Sequence, residues 1–496
     1  MSGGGVSLGS TSGSGGMPAS ASTSASGGVS AWAGVPAPGA DRPSTGARAT
    51  RGRLLSLLSE ACELEHALAC SYLYAAFSIK RDIADGITWE EQQRNRLWAG
   101  RIYHIAAQEM LHLAQAWNLL AAAGGMPYYA RPNFPLAARH YPLNVALVLR
   151  KFDLATLDRF LYYEAPAHND PRAPDRALPP DAAWPIDESF PYTSVGELYG
   201  EIRYVIEHVD EEHLFLRPGA GQARPELVDF ADVIPVVDRA TAFAAIDRIT
   251  LQGEGITEDR EDSHFGVFRA IRRQLAAIGP EPPDGPAAGA ADGSTAGSAA
   301  GSAAGSAAAH PVADNPFVRR RRDQIPAAVF PSRGDGIETT EITDALAVLA
   351  VDLFDDVYVS MLQAMAYAFV NVDDGDAGGG GADRASTVRS LARASLELMT
   401  TVIKPLGEAI CQLPSGRPGV NAGPTFALTR HSYLPNAADV SRVVYGERLV
   451  ELAAHAHLLT DAARDPHVPW PAQRQLQGAA ANLARIAAAL TLRATP

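Results

Sequence analysis

The segment from residue 89 to residue 123 has the periodicity of one long α-helix and places a glutamate and a histidine on its apolar side. Glu109 and His112 are three residues apart, so they share a helical face. That face, followed at spacings of three and four, carries Trp98, Ile102, Ala106, Glu109, Leu113, Ala116 and Leu120. Burying a carboxylate is costly unless it is paired or bound to a metal ion. The sequence therefore predicts a buried polar site whose remaining partners come from elsewhere in the chain.

Helical periodicity also dominates the other ordered segments, and no alternating strand pattern competes with it. Four long helices are predicted over residues 51–82, 89–123, 194–214 and 238–278. A long connection, with shorter helices expected near 143–150 and 154–162, separates the first pair from the second. Two helical pairs joined by a long crossover are the connectivity of ferritin-like four-helix bundles. We therefore predict an all-α protein that contains a ferritin-like four-helix bundle with an appended C-terminal helical region.

Low-complexity composition indicates where the chain divides. Residues 1–48 are rich in Gly and Ser and predict a disordered tail, and residues 279–310, with the repeat GSAAGSAAGSAAA, predict a flexible linker. Residues 50–278 between them hold the predicted bundle and its metal site. Residues 311–494 form the C-terminal helical region, with helices expected at 340–371, 385–403, 436–464 and 471–493. We expect this region to pack against the bundle.

Charge and cysteine content restrict the partners and the compartment. A formal net charge of −14 argues against a nucleic-acid partner, because phosphate binding needs a basic surface. Cys62 and Cys70 are too far apart on one helix to form a disulfide, and with Cys411 they indicate buried thiols in a reducing compartment. The N-terminus lacks signal-peptide features, and three aspartates interrupt the most apolar segment, residues 345–370. We expect a cytoplasmic protein that acts on a small molecule, with no membrane partner and with a homodimer left open.

Carboxylates and histidines at helical spacing predict a dinuclear metal site. Such a site in a bundle takes a Glu from each of two helices and Glu-x-x-His from each of the other two. Glu109 and His112 form one such pair, and Glu65 lies on the apolar stripe of the first helix.

The third and fourth helices leave alternatives open. On the third helix, Glu197 and Glu201 both qualify. On the fourth, Glu261 has the ideal spacing to His264, whereas Glu254, flanked by glycines, pairs with His264 only if the residues between them leave the helix.

Several collinear segments resemble one known family. The segments are LEHALACSYLYAAFSI, QEMLHLAQAWNLL, GELY, QGEG, SHFGVFRAI, KPLGEAI and NAGPTF. Together they resemble the ferritin-like family of iminophenyl-pyruvate dimer synthase, which includes regions of the violacein and chromopyrrolate synthases. The resemblance implies that Glu197, Glu254 and His264 are site positions, in addition to Glu65, Glu109 and His112.

These observations together predict an enzyme. The ligand set indicates a non-haem oxidase or oxygenase with two iron ions, or manganese, and dioxygen as co-substrate. The resemblance implies a small, amino-acid-derived natural-product intermediate as its substrate. The alternatives are an imine-coupling enzyme of the iminophenyl-pyruvate dimer synthase type and a metal-binding or structural bundle without turnover.

Overall fold

The computed structural model describes eleven ranges of the 496-residue chain, and they contain the helices of both predicted regions. The ranges are 49–137, 141, 145–165, 192, 194–228, 230–253, 261–278, 308–319, 337–372, 381–428 and 432–491. The predicted tail at 1–48 and most of the predicted linker, 279–307, lie outside them. Within these ranges the structure is all-α apart from a two-residue parallel strand pair, β1 (Pro316–Phe317) and β2 (Thr340–Glu341), and a few isolated bridges.

Two long helices pack along each other and form the centre of the bundle. Helix α1 is Arg51–Ser78 and begins where the Thr50 hydroxyl accepts a hydrogen bond from the Arg53 amide. Helix α2 is Trp89–Ala122 and begins with a capping box between Thr88 and Glu91. Both helices are buried on several faces, because the second half of the bundle covers one side and the C-terminal region covers another.

The second half of the bundle is more interrupted than the sequence predicts. Helix α3 is Leu154–Tyr163 and helix α4 is Val195–His208. The predicted extension of α4 to residue 214 is wrong, because Val209 adopts an extended conformation and Asp210 caps a separate turn, Glu211–Leu214. The fourth helix is divided into α5 (Arg239–Gln252) and α6 (His264–Ala277). The helix expected near 143–150 is also wrong for residues 145–150, where Leu147 forms a bridge to Leu136.

The C-terminal region consists of helices that pack on α1 and α2. They are α7 (Ala345–Val370), α8 (Gly381–Leu398), a π-helical segment (Met399–Ile403), α9 (Lys404–Ile410), α10 (Ala438–Ala462) and α11 (Trp470–Thr491). Residues Ala49–Pro496 cluster as one unit, so the bundle and the C-terminal helices belong to the same body. None of the helices in the described ranges combines the length and apolarity needed to cross a membrane.

Glycines of the C-terminal region allow it to approach α1 closely. A Cβ at Gly407 would clash with the ring of Phe77, and a Cβ at Gly423 would clash with the hydroxyl of Tyr74. The segments KPLGEAI and NAGPTF therefore contain glycines that serve packing on α1. Residues 308–310, the end of the predicted linker, also attach to α1, because the His310 amide donates to Ser78 O at 2.8 Å.

Candidate metal centre

Glu109 lies between two histidines and presents one carboxylate oxygen to each. Its Oε2 is 3.2 Å from Nδ1 of His112, and its Oε1 is 3.0 Å from Nδ1 of His264. The two imidazole rings are stacked with centroids 5.5 Å apart. A carboxylate that faces a separate nitrogen donor with each oxygen has the arrangement of a bridging ligand between two metal ions.

The first group of possible ligands comes from α1 and α2. Glu65, Glu109 and His112 can offer ligand atoms that lie within 4.8 Å of one another. All three side chains are fully buried. Helical periodicity explains this placement, because Glu65 and Glu109 occupy the inward stripes of two helices that pack side by side.

The second group shares Glu109 and adds residues from the later part of the bundle. Glu109, Glu164 and His264 also offer ligand atoms within 4.8 Å of one another. Glu164 is the C-cap residue of α3, and its amide donates to Phe160 O. His264 is the first residue of α6, directly after the N-cap residue Ser263. Both side chains are buried among apolar residues.

Each histidine contacts a glutamine through the ring nitrogen that points away from the carboxylates. Nε2 of His112 lies 3.0 Å from Oε1 of Gln252, and Nε2 of His264 lies 3.2 Å from Oε1 of Gln108. A carbonyl oxygen can only accept a hydrogen bond, so each Nε2 carries the proton and donates. In the neutral imidazole the lone pair is then on Nδ1, which faces the carboxylates.

Each outer carboxylate is held by a tyrosine in the same way. The Tyr199 hydroxyl donates to Oε1 of Glu65 at 2.5 Å, and the Tyr72 hydroxyl donates to Oε1 of Glu164. The two halves of the cluster are therefore built alike around Glu109: a carboxylate with its tyrosine, and a histidine with its glutamine. Hydrogen bonds of this kind orient metal ligands.

Several buried atoms of the cluster make no hydrogen bond. They are Oε2 of Glu65, Oε1 of Glu109, Oε2 of Glu164 and Nδ1 of His264. Buried polar atoms without a hydrogen bond are costly, and these atoms face mainly one another, since Nδ1 of His264 lies 3.0 Å from Oε1 of Glu109 and 3.4 Å from Oε2 of Glu164. Carboxylate oxygens and imidazole nitrogens are suitable donors for iron and manganese. The donor set and its unsatisfied atoms therefore fit a pair of divalent ions.

The pKa values of the metal-free cluster follow from burial and charge. Burial, only partly offset by His112, raises the pKa of Glu65 to about 7. Burial opposes ionisation of Glu109, but His264 and His112 hold its pKa well below the usual range. Burial would lower the pKa of His264, but Glu109 and Glu164 outweigh it and raise that pKa to about 10. The cluster thus holds protons near neutral pH that a metal ion would displace on binding.

The structure brings four of the six predicted ligands together: Glu65, Glu109, His112 and His264. Glu254 lies in residues 254–260, outside the described ranges, and stays a prediction. Glu197 lies half-buried in the first turn of α4, where its amide donates to Ser194 Oγ. Neither group found among the described residues includes it, so its role as a ligand also stays a prediction.

The rival carboxylates occupy other environments. Glu201 forms an ion pair with Arg53 at 2.5 Å, on the partly exposed side of α4. Glu261 is exposed and precedes the N-cap residue of α6, so its spacing to His264 does not place the two on one helical face.

Sequence reasoning missed Glu164 and the two glutamines. Glu164 follows Phe160 by four residues, at the end of an amphipathic helix, so it continues the buried stripe of α3. That periodicity could have identified it. The glutamines carry no comparable signal, because their significance depends on the imidazole that lies opposite each of them.

Gly253, in the QGEG segment, lies against the second histidine. A Cβ at this position would clash with Nδ1 of His264. Only glycine leaves room for the imidazole at this approach between the end of α5 and the start of α6.

A match to one family model agrees with this architecture. Residues 58–273 match the family model described as Ferritin-like, a range that includes all five clustered residues. A crystal structure of a ferritin-like protein from Caulobacter vibrioides aligns with 69% of this chain and 95% of its own, at 19% identity and a TM-score of 0.37.

Two curated relatives align with most of the chain. Dichlorochromopyrrolate synthase of Lentzea aerocolonigenes is 29% identical over 445 residues, which cover 82% of this chain and 39% of the relative. A 2-imino-3-(indol-3-yl)propanoate dimerase of Chromobacterium violaceum is 28% identical over 408 residues, which cover 78% of this chain and 35% of the relative. The chain spans less than two-fifths of the length of either relative.

Proposed function

We propose that the ferritin-like bundle of this chain binds two divalent metal ions, iron or else manganese, and that the protein is a dioxygen-dependent oxidase or oxygenase. Its substrate would be a small, amino-acid-derived intermediate of natural-product biosynthesis. The observation that carries the proposal is the position of Glu109, which presents one oxygen towards His112 and the other towards His264.

The ligand assignment follows from the two groups. One ion would be held by Glu65, Glu109 and His112, and the other by Glu109, Glu164 and His264. Glu254 would add a fourth carboxylate, which ferritin-like dinuclear sites use. Its position in sequence supports this, because it directly follows Gly253, which lies against His264.

The residues around the ligands would keep their donor atoms directed at the ions. Gln252 and Gln108 retain the proton on Nε2 of each histidine and leave Nδ1 free to coordinate. Tyr199 and Tyr72 bind one oxygen of Glu65 and Glu164 and leave the other, Oε2, for the metal. When bound, two iron ions would supply adjacent redox centres that transfer electrons from a substrate to dioxygen.

The relatives support the substrate class and a second candidate function. Both are named for natural-product chemistry, and one is a dimerase of 2-imino-3-(indol-3-yl)propanoate. Their alignment over most of this chain favours coupling of two amino-acid-derived imines as the alternative activity. The three cysteines are buried and free, which fits a reducing cytoplasm for either function.

Metal content per chain tests the proposal directly. After anaerobic loading with iron, the wild type should retain about two ions and Glu109→Ala should lose both, because Glu109 belongs to both groups. Glu90→Ala is a matched control, since Glu90 is an exposed glutamate of the same helix. Product analysis after incubation with indole-derived imines and dioxygen would then separate the two candidate activities, because coupling gives a product that contains two joined imine units, whereas an oxidase or oxygenase gives an oxidised single unit. Absence of stoichiometric metal in the wild type would reject the dinuclear site and leave a structural bundle.

A further inference from the structure

A cleft between α2 and α6 lies next to the candidate metal centre and is separated from it by Gln108. It has a volume of about 660 Å³, within the range of sites for small organic molecules. Gln108 lines the cleft, and its Oε1 accepts the hydrogen bond from Nε2 of His264. A molecule in the cleft would therefore contact a residue that touches a ligand of the second ion.

A second cavity is less suitable for an organic substrate. The apolar cavity between α1, α2, α7 and the π-helical segment measures about 60 Å³. That volume is comparable to a few water molecules at most. The cleft between α2 and α6 is about ten times larger and is open to solvent.

Cationic side chains surround the cleft. They are Arg96, Arg101, Arg269 and Arg273, and the acidic residues that line it are Glu261 and Asp262. This excess of positive charge stands out in a chain whose formal net charge is −14. Within the described ranges, Arg101 and Arg273 make neither an ion pair nor a hydrogen bond. Their guanidinium groups are therefore available to a ligand, and guanidinium binds carboxylates with paired hydrogen bonds.

Apolar side chains form part of the cleft wall. Leu97, Ile105 and Val267 line it, and Leu97 is 52% exposed. An apolar wall beside free arginines suits a ligand with a hydrophobic body and a single anionic group.

The order of residues along α2 gives such a ligand an orientation. Leu97, Arg101, His104 and Gln108 recur at spacings of four, three and four, so they lie on one helical face. Arg101 and Gln108 are seven residues apart, about 10 Å along the helix axis. An arginine side chain and a small organic molecule can together span that distance. A carboxylate held near Arg101 would thus direct the rest of the molecule towards Gln108 and His264.

From this arrangement we infer that the α2–α6 cleft binds the substrate of the proposed oxidase and recognises it as a carboxylate through Arg101 and Arg273. The inference rests on the proposed function for the identity of the reaction. The recognition itself requires only the cleft and its charges, so it can be tested without metal and without turnover.

The test compares two ligands that differ in charge and not in size. Binding of indole-3-propionate and of its neutral amide, indole-3-propionamide, would be measured by calorimetry on the full chain, both metal-free and iron-loaded. We expect the acid to bind at least about tenfold more tightly than the amide, and this preference to weaken as salt is raised. Arg101→Gln combined with Arg273→Gln should abolish the preference and leave binding of the amide unchanged.

A control variant and the binding measurement on metal-free protein distinguish failure of the cleft from failure of the proposed oxidase. Arg389→Gln, at an exposed arginine of α8 remote in sequence from the cleft, should bind both ligands as the wild type does. Equal binding of acid and amide, an unchanged preference in the double variant, or no saturable binding of the acid would each overturn the inference. Acid-selective binding by a protein that retains no metal would support the cleft while rejecting the proposed oxidase.

Discussion

Nε2 of His112 lies 3.0 Å from Oε1 of Gln252, and this contact determines which nitrogen of the imidazole faces Glu65 and Glu109. The amide oxygen can only accept, so Nε2 carries a proton, and in the neutral imidazole the lone pair is on Nδ1. Gln108 has the same relationship to His264. The two glutamines come from helices other than those of the histidines they hold, α5 for His112 and α2 for His264.

Replacement of either glutamine should weaken one metal position selectively. Gln252→Leu removes the acceptor for His112 and should lower the affinity of the ion held by that histidine about 10- to 100-fold. Gln108→Leu should do the same for the ion held by His264. Stepwise titration of the metal-free protein with cobalt(II), followed by absorption spectroscopy, measures the two affinities separately. Each variant is the control for the other, and equal weakening of both positions by either one would contradict the assignment.

Glu164→Gln should remove one of the two ions. Glu164 belongs only to the group with His264, so the metal content should fall from about two ions to about one, while the position with His112 is retained. Metal analysis after iron loading provides the measurement.

Glu197→Gln is the informative comparison for that experiment. The resemblance implies that Glu197 is a ligand, whereas the structure places Glu164 in the cluster. A full metal content in Glu164→Gln together with a loss in Glu197→Gln would favour Glu197 and reject Glu164.

Gly253→Ala should displace His264 from the cluster. The added Cβ would clash with Nδ1 of the imidazole, so the histidine must rotate or shift away from Glu109. We expect loss of the second ion with little change in helix content, measured by metal analysis and circular dichroism. Gly200→Ala on α4 is the matched control, because no heavy atom lies within 4 Å of its added Cβ. Full metal retention in Gly253→Ala would show that the close approach is not needed for binding.

Asp355 should make the stability of the protein depend on pH. Its side chain is fully buried on α7, 2.5 Å from the Thr425 hydroxyl and 3.0 Å from the Ala427 amide, and burial raises its pKa to about 8. Between the pKa of an unfolded aspartate, about 4, and this value, the folded protein holds one more proton than the unfolded chain. The contribution to stability is therefore fully present at low pH and is lost as the pH rises through about 8.

Asp355→Asn removes this titration and keeps hydrogen-bonding groups in place. The difference between the unfolding free energies of the wild type and the variant should change with pH. The wild type should lose on the order of a few kcal/mol relative to the variant between pH 5 and pH 8. Urea denaturation of both proteins at several pH values measures the difference. A difference that does not change with pH would contradict the raised pKa.

Local sequence signals account for most of the helices. Helical periodicity predicts α2 at 89–123, and the observed helix is Trp89–Ala122. The prediction fails where local signals compete, as at Val209 and Asp210, where an extended residue and a new cap end α4 early. The all-α, ferritin-like fold is confirmed. It could be predicted because it depends on the number, length and order of the helices, which periodicity and caps determine.

The sequence by itself determined that Glu65, Glu109 and His112 face inward, because the face of a helix on which a residue lies follows from spacing alone. Only the tertiary structure decided that Glu164 joins Glu109 and His264, since Glu164 follows the end of a short helix whose position depends on packing against α6. It also decided that Gln252 and Gln108 hold the two histidines. Gln252 is 140 positions from His112 in the sequence, and Gln108 is 156 positions from His264. Spacing along one helix cannot specify contacts of this kind, because they arise from the way separate helices pack against one another.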